Sequence, residues 1–110
     1  MNNQRELRIA QLNKLLELTP HDAFLRYALA LEMVNAGELA TAEHMFLSLL
    51  KDNPEYTATY YHLAKLYETQ ENIEQAKIIY RQGIEITQKV RDTHALAELR
   101  SALNELEFED

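Results

Sequence analysis

The sequence predicts an all-α fold, a superhelix of about six helices arranged as antiparallel pairs. Three observations predict it. The chain of 110 residues contains only two glycines and two prolines, too few for the many turns of an all-β fold or for a glycine-rich phosphate loop. Its apolar residues recur at the spacing of a helix face. The chain also repeats itself with a period of 34 residues, and such periods are typical of stacked helix pairs.

The repeat is visible when the sequence is shifted against itself by 34 residues. Over the 36 pairs that begin at residues 15 to 50, seven are identical, where composition alone would give about two. The identical pairs are Leu15 with Leu49, Leu16 with Leu50, Pro20 with Pro54, Tyr27 with Tyr61, Leu29 with Leu63, Ala30 with Ala64, and Ala42 with Ala76. Each repeat therefore contains one pair of helices with a short link.

The elements follow from apolar spacing and from helix-capping residues. The helices are expected near residues 3–18, 22–35, 39–52, 57–69, 73–90 and 93–107. The first carries an apolar stripe at Leu7, Leu12, Leu15 and Leu16. The expected N-caps are Asn3 (with Glu6), Asp22, Thr57, Asn72 (with Gln75 in a capping box) and Asp92. Gly37 is expected at a left-handed helix end.

Three stripes at helical spacing define the expected core of the second half. In order along the chain they are Tyr60, Leu63, Ala64 and Tyr67; then Ile73, Ala76, Ile79, Tyr80, Gly83 and Ile84; then Ala95, Leu96, Leu99, Ala102, Leu103 and Leu106. The last stripe leaves the 34-residue register, as a helix that covers the end of a repeat array would.

The period and these residues resemble the tetratricopeptide repeat (TPR) family, and in particular short bacterial proteins with two such repeats. Residues 57–90 match its pattern at Tyr60, Leu63, Ala64, Tyr67, Ala76, Tyr80 and Gly83, and residues 23–56 match it at Leu29, Ala30, Gly37, Ala42, Phe46 and Pro54. The departures are Arg26, Met33, Leu49 and Gln88. The resemblance implies one domain over residues 1–110. Its expected parts are a partial repeat at 1–20, repeats at 23–56 and 57–90, and a capping helix with an acidic end at 91–110.

Membership of this family implies a protein-interaction module, an adaptor or assembly factor that binds a protein or peptide on its concave face. The expected partner-facing residues lie opposite the core stripes: Phe24, Tyr27, Leu31, Tyr61, His62 and Lys65. Lys65 would serve one acidic group. The family's carboxylate clamp is not expected, because the groove positions hold a single cation and lack asparagines.

The helix at 22–35 is apolar nearly all round, which is typical of a buried helix. Three coverings are compatible with that pattern: the terminal helix of the same chain, a partner peptide, or a second copy of the chain. The alternative to an adaptor is therefore a structural homodimer with this helix at its interface.

Other functions find no support in the sequence. A net charge of −7 disfavours binding to a phosphate backbone. The chain has no cysteine, and its four histidines, His21, His44, His62 and His94, do not show metal-ligand spacing. No serine lies in a nucleophile elbow, so no enzyme activity, metal or cofactor is expected. The chain also lacks an apolar run that could span a membrane and a signal-peptide pattern at its start. The expected compartment is the cytoplasm.

Overall fold

The computed structural model describes residues 3–109, and over that range it is built from α-helices and short links without a strand. The helices are α1 (Asn3–Leu18), α2 (Ala23–Asn35), α3 (Leu39–Asp52), α4 (Ala58–Thr69), α5 (Ile73–Val90) and α6 (Thr93–Glu109). The all-α fold with six helices in these places is confirmed. Helix α6 continues two residues past its expected end. Asp110, the last residue of the expected acidic end, lies outside the described residues.

The helices belong to two compact units, Met1–Leu49 and Leu50–Asp110. In the first unit, α1 packs against α2. In the second, α5 packs against both α4 and α6, and α4 and α6 also contact each other. In these pairs a helix packs mainly on its neighbour in sequence, as in helical repeats generally. The assignment of residues 1–110 to one domain stays a prediction.

The core of the second unit consists of the predicted apolar faces of its three helices. The buried members are Tyr60, Leu63, Ala64, Tyr67, Ala76, Ile79, Tyr80, Gly83, Leu99, Ala102, Leu103 and Leu106. Burial of each large side chain contributes about 1.5–3 kcal/mol. The Tyr60 hydroxyl keeps its hydrogen bond in this core by donating to the carbonyl oxygen of Pro54 at 2.6 Å.

Gly83 lies where α5 comes closest to its neighbours. A Cβ atom at this position would lie 2.7 Å from the Cβ of Tyr60 and 2.9 Å from the Cδ1 of Leu99. Carbon atoms in favourable contact are roughly 3.5–4.0 Å apart. The glycine is therefore required by packing between α5, α4 and α6.

The first unit solves the same packing problem with a different pair of residues. In the 34-residue register, Arg26 stands where the second unit has Tyr60, and Leu49 stands where it has Gly83. Leu49 is fully buried, and the guanidinium of Arg26 donates to the hydroxyl of Ser48 at 3.1 Å. The two repeats thus differ at equivalent positions, since the first has a leucine where the second has a glycine. A pocket of about 160 Å³ lies beside Arg26 and Ser48.

Three helices end with the same backbone turn. Its central residue is left-handed: Gly37 at φ +82°, Glu71 at φ +60° and Arg91 at φ +62°. In each turn the N–H of this residue donates to the carbonyl three residues earlier, and the next N–H donates to the carbonyl five residues earlier. This is the Schellman pattern. The expectation for Gly37 is confirmed, and Glu71 occupies the equivalent position of the second repeat.

Two of the predicted N-caps are confirmed by their hydrogen bonds. The carboxylate of Asp22 accepts from the backbone N–H of Leu25 at 3.0 Å. The carboxylate of Asp92 accepts from the backbone N–H of Ala95 at 3.2 Å. Each bond satisfies one of the free N–H groups in the first turn of its helix.

Two other predicted caps are wrong. Asn72 makes no side-chain cap bond, because it also completes the turn that ends α4, and its ψ of 71° departs from the extended conformation of an N-cap. The expected capping box is therefore absent. Thr57 also makes no cap bond. Its hydroxyl instead donates to the second carboxylate oxygen of Asp92 at 2.6 Å, so Asp92 joins the beginnings of α4 and α6.

Helix α1 packs only part of its predicted apolar stripe. Leu12 and Leu16 are half-buried, whereas Leu7 and Leu15 are 64% and 47% exposed. No residue of α1 is buried. Helix α2 packs on α1, and Leu16 also lines a pocket together with residues of α3, so the packed side of α1 is the one that carries Leu12 and Leu16.

Candidate functional site

A groove of about 380 Å³ lies between α4 and α6 in the second unit. Helix α4 contributes Tyr61 and Lys65, which lie one turn apart on the side opposite its buried residues. Helix α6 contributes residues that recur at three- and four-residue intervals: His94, Ala97, Glu98, Ser101, Ala102 and Glu105. The groove thus lies between these faces of α4 and α6.

Tyr61 supplies the aromatic surface of the groove. Its ring is half-exposed and meets the rings of His62 and Tyr80 edge to face, with centroid distances of 5.4 Å and 6.4 Å. Such contacts hold an aromatic ring in one orientation. The Tyr61 ring is therefore held in place by His62 and Tyr80, while the rest of it is open to the groove.

Lys65 already has partners. Its Nζ lies 3.6 Å from Oε2 of Glu68 and 5.5 Å from the centroid of the Tyr61 ring, a distance at which the ammonium is attracted to the ring face. Lys65 therefore pairs with the residue three positions further along its helix. Its service to one acidic group of a partner stays a prediction.

The carboxylate of Glu68 is held from a second side by Tyr80, whose hydroxyl donates to Oε2 of Glu68. Burial, and then this hydrogen bond to Glu68, raise the pKa of Tyr80 well above its usual range, so the phenol stays protonated. Tyr80, Glu68, Lys65 and Tyr61 thereby form one chain of contacts from the core to the groove surface.

His62 lies on α4 beside the groove and is not one of its lining residues. Burial lowers the pKa of His62 below its ordinary value of 6.5, and the nearby carboxylate of Glu98 partly offsets this. His62 is therefore neutral at pH 7 and acts as a packing partner for Tyr61.

The other three predicted site residues lie on α2 in the first unit. Phe24 is 61% exposed, and Tyr27 and Leu31 are half-buried. Their spacing of three and four residues places them on one face of α2. They form an apolar strip that is separate from the buried residues Leu29 and Ala30.

The structure contains an ion pair between an exposed arginine and a buried glutamate that the sequence analysis missed. Glu32 lies on the otherwise apolar helix α2, and its side chain is 9% exposed. Its carboxylate accepts a hydrogen bond from Nη1 of Arg8 on α1 at 2.8 Å. The signal in the sequence was the register, because Glu32 occupies the position of Leu66, which is buried in the second repeat.

Two further site residues, Glu98 and Glu105, were also missed. They lie seven residues apart on the groove side of α6. The sequence could have indicated them, because both lie outside the predicted core stripe of this helix.

Within residues 3–109, no group of three or more His, Asp or Glu side chains is arranged to hold a metal ion. Over the same range, no helix has the length and apolar character needed to cross a membrane.

Comparison with known proteins is consistent with this geometry. Residues 33–103 match the family model described as the tetratricopeptide repeat. The chain is similar to a tetratricopeptide repeat domain protein from Salinibacter ruber, with 37% identity, a TM-score of 0.79, and coverage of 83% of this chain and 92% of that chain. No curated protein matches it.

Two more distant structures share the fold. A protein from Bordetella parapertussis is 22% identical, with a TM-score of 0.80 and coverage of 93% of this chain and 89% of that chain. The crystal structure of YrrB, a TPR protein with an unusual peptide-binding site, is also 22% identical, with a TM-score of 0.73. The match covers 90% of this chain and 50% of that chain.

Proposed function

Because this chain belongs to the tetratricopeptide repeat family, we propose that it is a non-catalytic protein-interaction module, a small adaptor or assembly factor that binds a peptide or helix. The groove between α4 and α6 carries the proposal. Its volume of about 380 Å³ falls at the lower end of the range of small-ligand sites, roughly 300–1,000 Å³. That volume suits a few side chains of a peptide.

The chemistry of the groove supports a peptide as its occupant. The Tyr61 ring provides flat apolar area, and the small residues Ala97, Ser101 and Ala102 on the opposite helix leave room beside it. YrrB, which shares the fold, is described as having a peptide-binding site. That likeness extends to the fold alone, so the groove of this chain is the basis on which we propose where the site lies.

The strip of Phe24, Tyr27 and Leu31 on α2 is proposed as a second contact surface of the same module, with His62 as a packing support for the groove. The strip also favours the alternative function. A contiguous apolar patch at the surface marks an interaction site, and a second copy of the chain would cover Phe24 together with its two apolar neighbours in a homodimer. The cytoplasmic location stays a prediction.

The test of the adaptor is capture from a lysate with a matched pair of variants. Tyr61→Ala removes the groove ring, and Ile78→Ala removes a comparable apolar side chain that is 44% exposed on α5. We expect a specific partner to bind wild type and the Ile78 variant and to be lost from the Tyr61 variant. Circular dichroism melts show whether both variants are still folded. A partner that all three baits retain would place the site elsewhere.

The homodimer is tested separately by light scattering during size-exclusion chromatography. If α2 forms the interface, wild type elutes as a dimer that persists on dilution, and Phe24→Lys elutes as a monomer. A monomeric wild type at all concentrations would contradict the alternative and leave the adaptor.

A further inference from the structure

We infer that the groove between α4 and α6 takes a peptide segment that carries lysine or arginine on both sides of an apolar residue. The inference rests on the proposed function and specifies the chemistry of its partner. It is argued from the groove's charges, from the spacing of its two acidic residues, and from the surface between them.

The charges that line the groove are not balanced. Its one Lys or Arg side chain, Lys65, is 3.6 Å from Glu68, which neutralises it. Glu98 and Glu105 remain on the α6 wall, and no lysine or arginine pairs with either within residues 3–109. The Nε2 atom of His94 lies 3.9 Å from Oε1 of Glu98. The groove therefore presents two carboxylates to an occupant.

The field of Glu98 reaches across the groove to α4. The carboxylate of Glu98 acts on the pKa of His62 in the direction expected for a nearby negative charge, raising it against the effect of burial. Glu98 therefore faces α4 as well as solvent. A cation placed between the two helices would lie in this field, and an acidic side chain there would be repelled.

The spacing of the two carboxylates gives the pattern of the peptide. Seven residues on a helix correspond to a rise of about 10.5 Å. In an extended peptide, side chains on the same side recur every second residue, so residues i and i+4 are about 13–14 Å apart. Flexible lysine or arginine stems absorb the difference of about 3 Å. The residue at i+2 then faces the middle of the groove.

The middle of the groove suits an apolar side chain. Between the two acids, α6 presents Ser101 and Ala102, and α4 presents the ring of Tyr61. Small residues leave space above the helix, and the fixed ring offers a flat apolar wall. A leucine at i+2 would pack there while its neighbours at i and i+4 reach Glu98 and Glu105.

The experiment uses three acetylated and amidated heptapeptides with one leucine at the centre. They are Ala-Lys-Ala-Leu-Ala-Lys-Ala and its versions with glutamine or glutamate in place of both lysines. Each is titrated into the ¹⁵N-labelled full chain at low salt, and the amide shifts of α4 and α6 report binding. We expect the lysine peptide to bind about tenfold more tightly than the glutamate peptide, because exposed charge pairs each contribute modestly. We also expect that difference to shrink in about 0.5 M salt.

Variants connect the preference to the two carboxylates. We expect Glu98→Gln with Glu105→Gln to weaken binding of the lysine peptide about three- to tenfold. Glu6→Gln with Glu17→Gln, which removes the same charge from exposed positions on α1, is expected to leave it unchanged. Thermal melts of both double variants confirm that the fold is retained.

The outcomes separate the inference from the proposed function. If all three peptides bind equally, or if the glutamate peptide binds best, the groove holds peptides and the inference of a cationic partner is wrong. A loss of binding that is the same in both double variants would also overturn it, since the effect would then be one of total charge. If none of the peptides shifts the amides of α4 and α6 at millimolar concentration, the proposed function of the groove fails as well.

Discussion

Replacing Gly83 with alanine is the sharpest test of the packing in the second unit. The added methyl group would lie 2.7 Å from the Cβ of Tyr60 and 2.9 Å from the Cδ1 of Leu99. The Leu99 methyl can move with its side chain. The Cβ of Tyr60 is fixed to the backbone of α4, so α4 itself must move away from α5 by about 1 Å to reach an ordinary contact distance.

Two opposing effects set the magnitude of this change. Overpacking in a well-packed core costs about 1–3 kcal/mol. Alanine is favoured over glycine in a helix interior by about 1 kcal/mol, and Gly83 lies well inside α5. The expected net loss is therefore about 1 kcal/mol of unfolding free energy, which corresponds to roughly 4 °C in the melting temperature of a domain of this size.

The assay is urea unfolding followed by circular dichroism, with Gln82→Ala as the matched control. Gln82 is the exposed neighbour of Gly83 on α5, and its replacement is expected to change stability by less than about 0.5 kcal/mol. If Gly83→Ala is more stable than wild type, the added methyl group meets no clash, and the close approach of α5 to α4 is wrong.

Three other tests address the turns, the ion pair of Arg8 with Glu32, and the titration of His62. Glu71→Gly is expected to stabilise the chain by about 0.5–1 kcal/mol, because glycine avoids the cost of a left-handed conformation, whereas Gln70→Gly, one residue earlier, is expected to destabilise it in the same urea assay. Arg8→Ala is expected to lower the free energy of unfolding by about 1–3 kcal/mol, because it leaves the Glu32 carboxylate buried without its partner. Adding Glu32→Gln should recover part of that loss, and a double variant that recovers none would contradict the pairing. His62 has a lowered pKa in the folded chain, so the unfolded chain binds its proton more readily and stability should fall as the pH drops below about 7. His62→Gln should make urea midpoints less sensitive to pH between pH 7.5 and 5.5, and an unchanged sensitivity would contradict the lowered pKa.

The helices could be predicted from the sequence because two strong local signals coincide. The apolar spacing places the helix faces, and the few breakers mark the ends, as Gly37 does at a left-handed turn. The caps were harder to predict. Thr57 has the right residue type, but its hydroxyl donates to Asp92, which follows 35 residues later, and no local pattern indicates such a partner.

The exposure of α1 could not be predicted from its own residues. A stripe that contains Leu7 and Leu15 has the same period as a buried one, and burial depends on which helices are present to cover it. In the first unit Leu12 and Leu16 are half-buried, whereas Leu7 and Leu15 are exposed. Periodicity therefore indicates which residues share a face, whereas the number of packing partners is a property of the whole fold.

The candidate site was predicted in part. The register places Tyr61 and Lys65 away from the core, and both line the groove. The pairing of Lys65 with Glu68 follows from a spacing of three residues on a helix and could have been found. The role of α6 as the second wall could not, because its residues leave the 34-residue register and the sequence does not indicate which helix they meet.

Leu49 and Gly83, which occupy equivalent positions of the two repeats, have a consequence for how copies of this chain can misassemble. Repeats of similar sequence invite misassembly, in which a helix of one repeat packs in the place of its counterpart in another repeat. If α3 took the place of α5, Leu49 would have to fit against Tyr60 where not even a Cβ atom has room. In the reverse exchange, Gly83 would leave a cavity where Leu49 is fully buried. Each repeat therefore rejects the second helix of the other, and a chain with two similar halves retains one correct pairing.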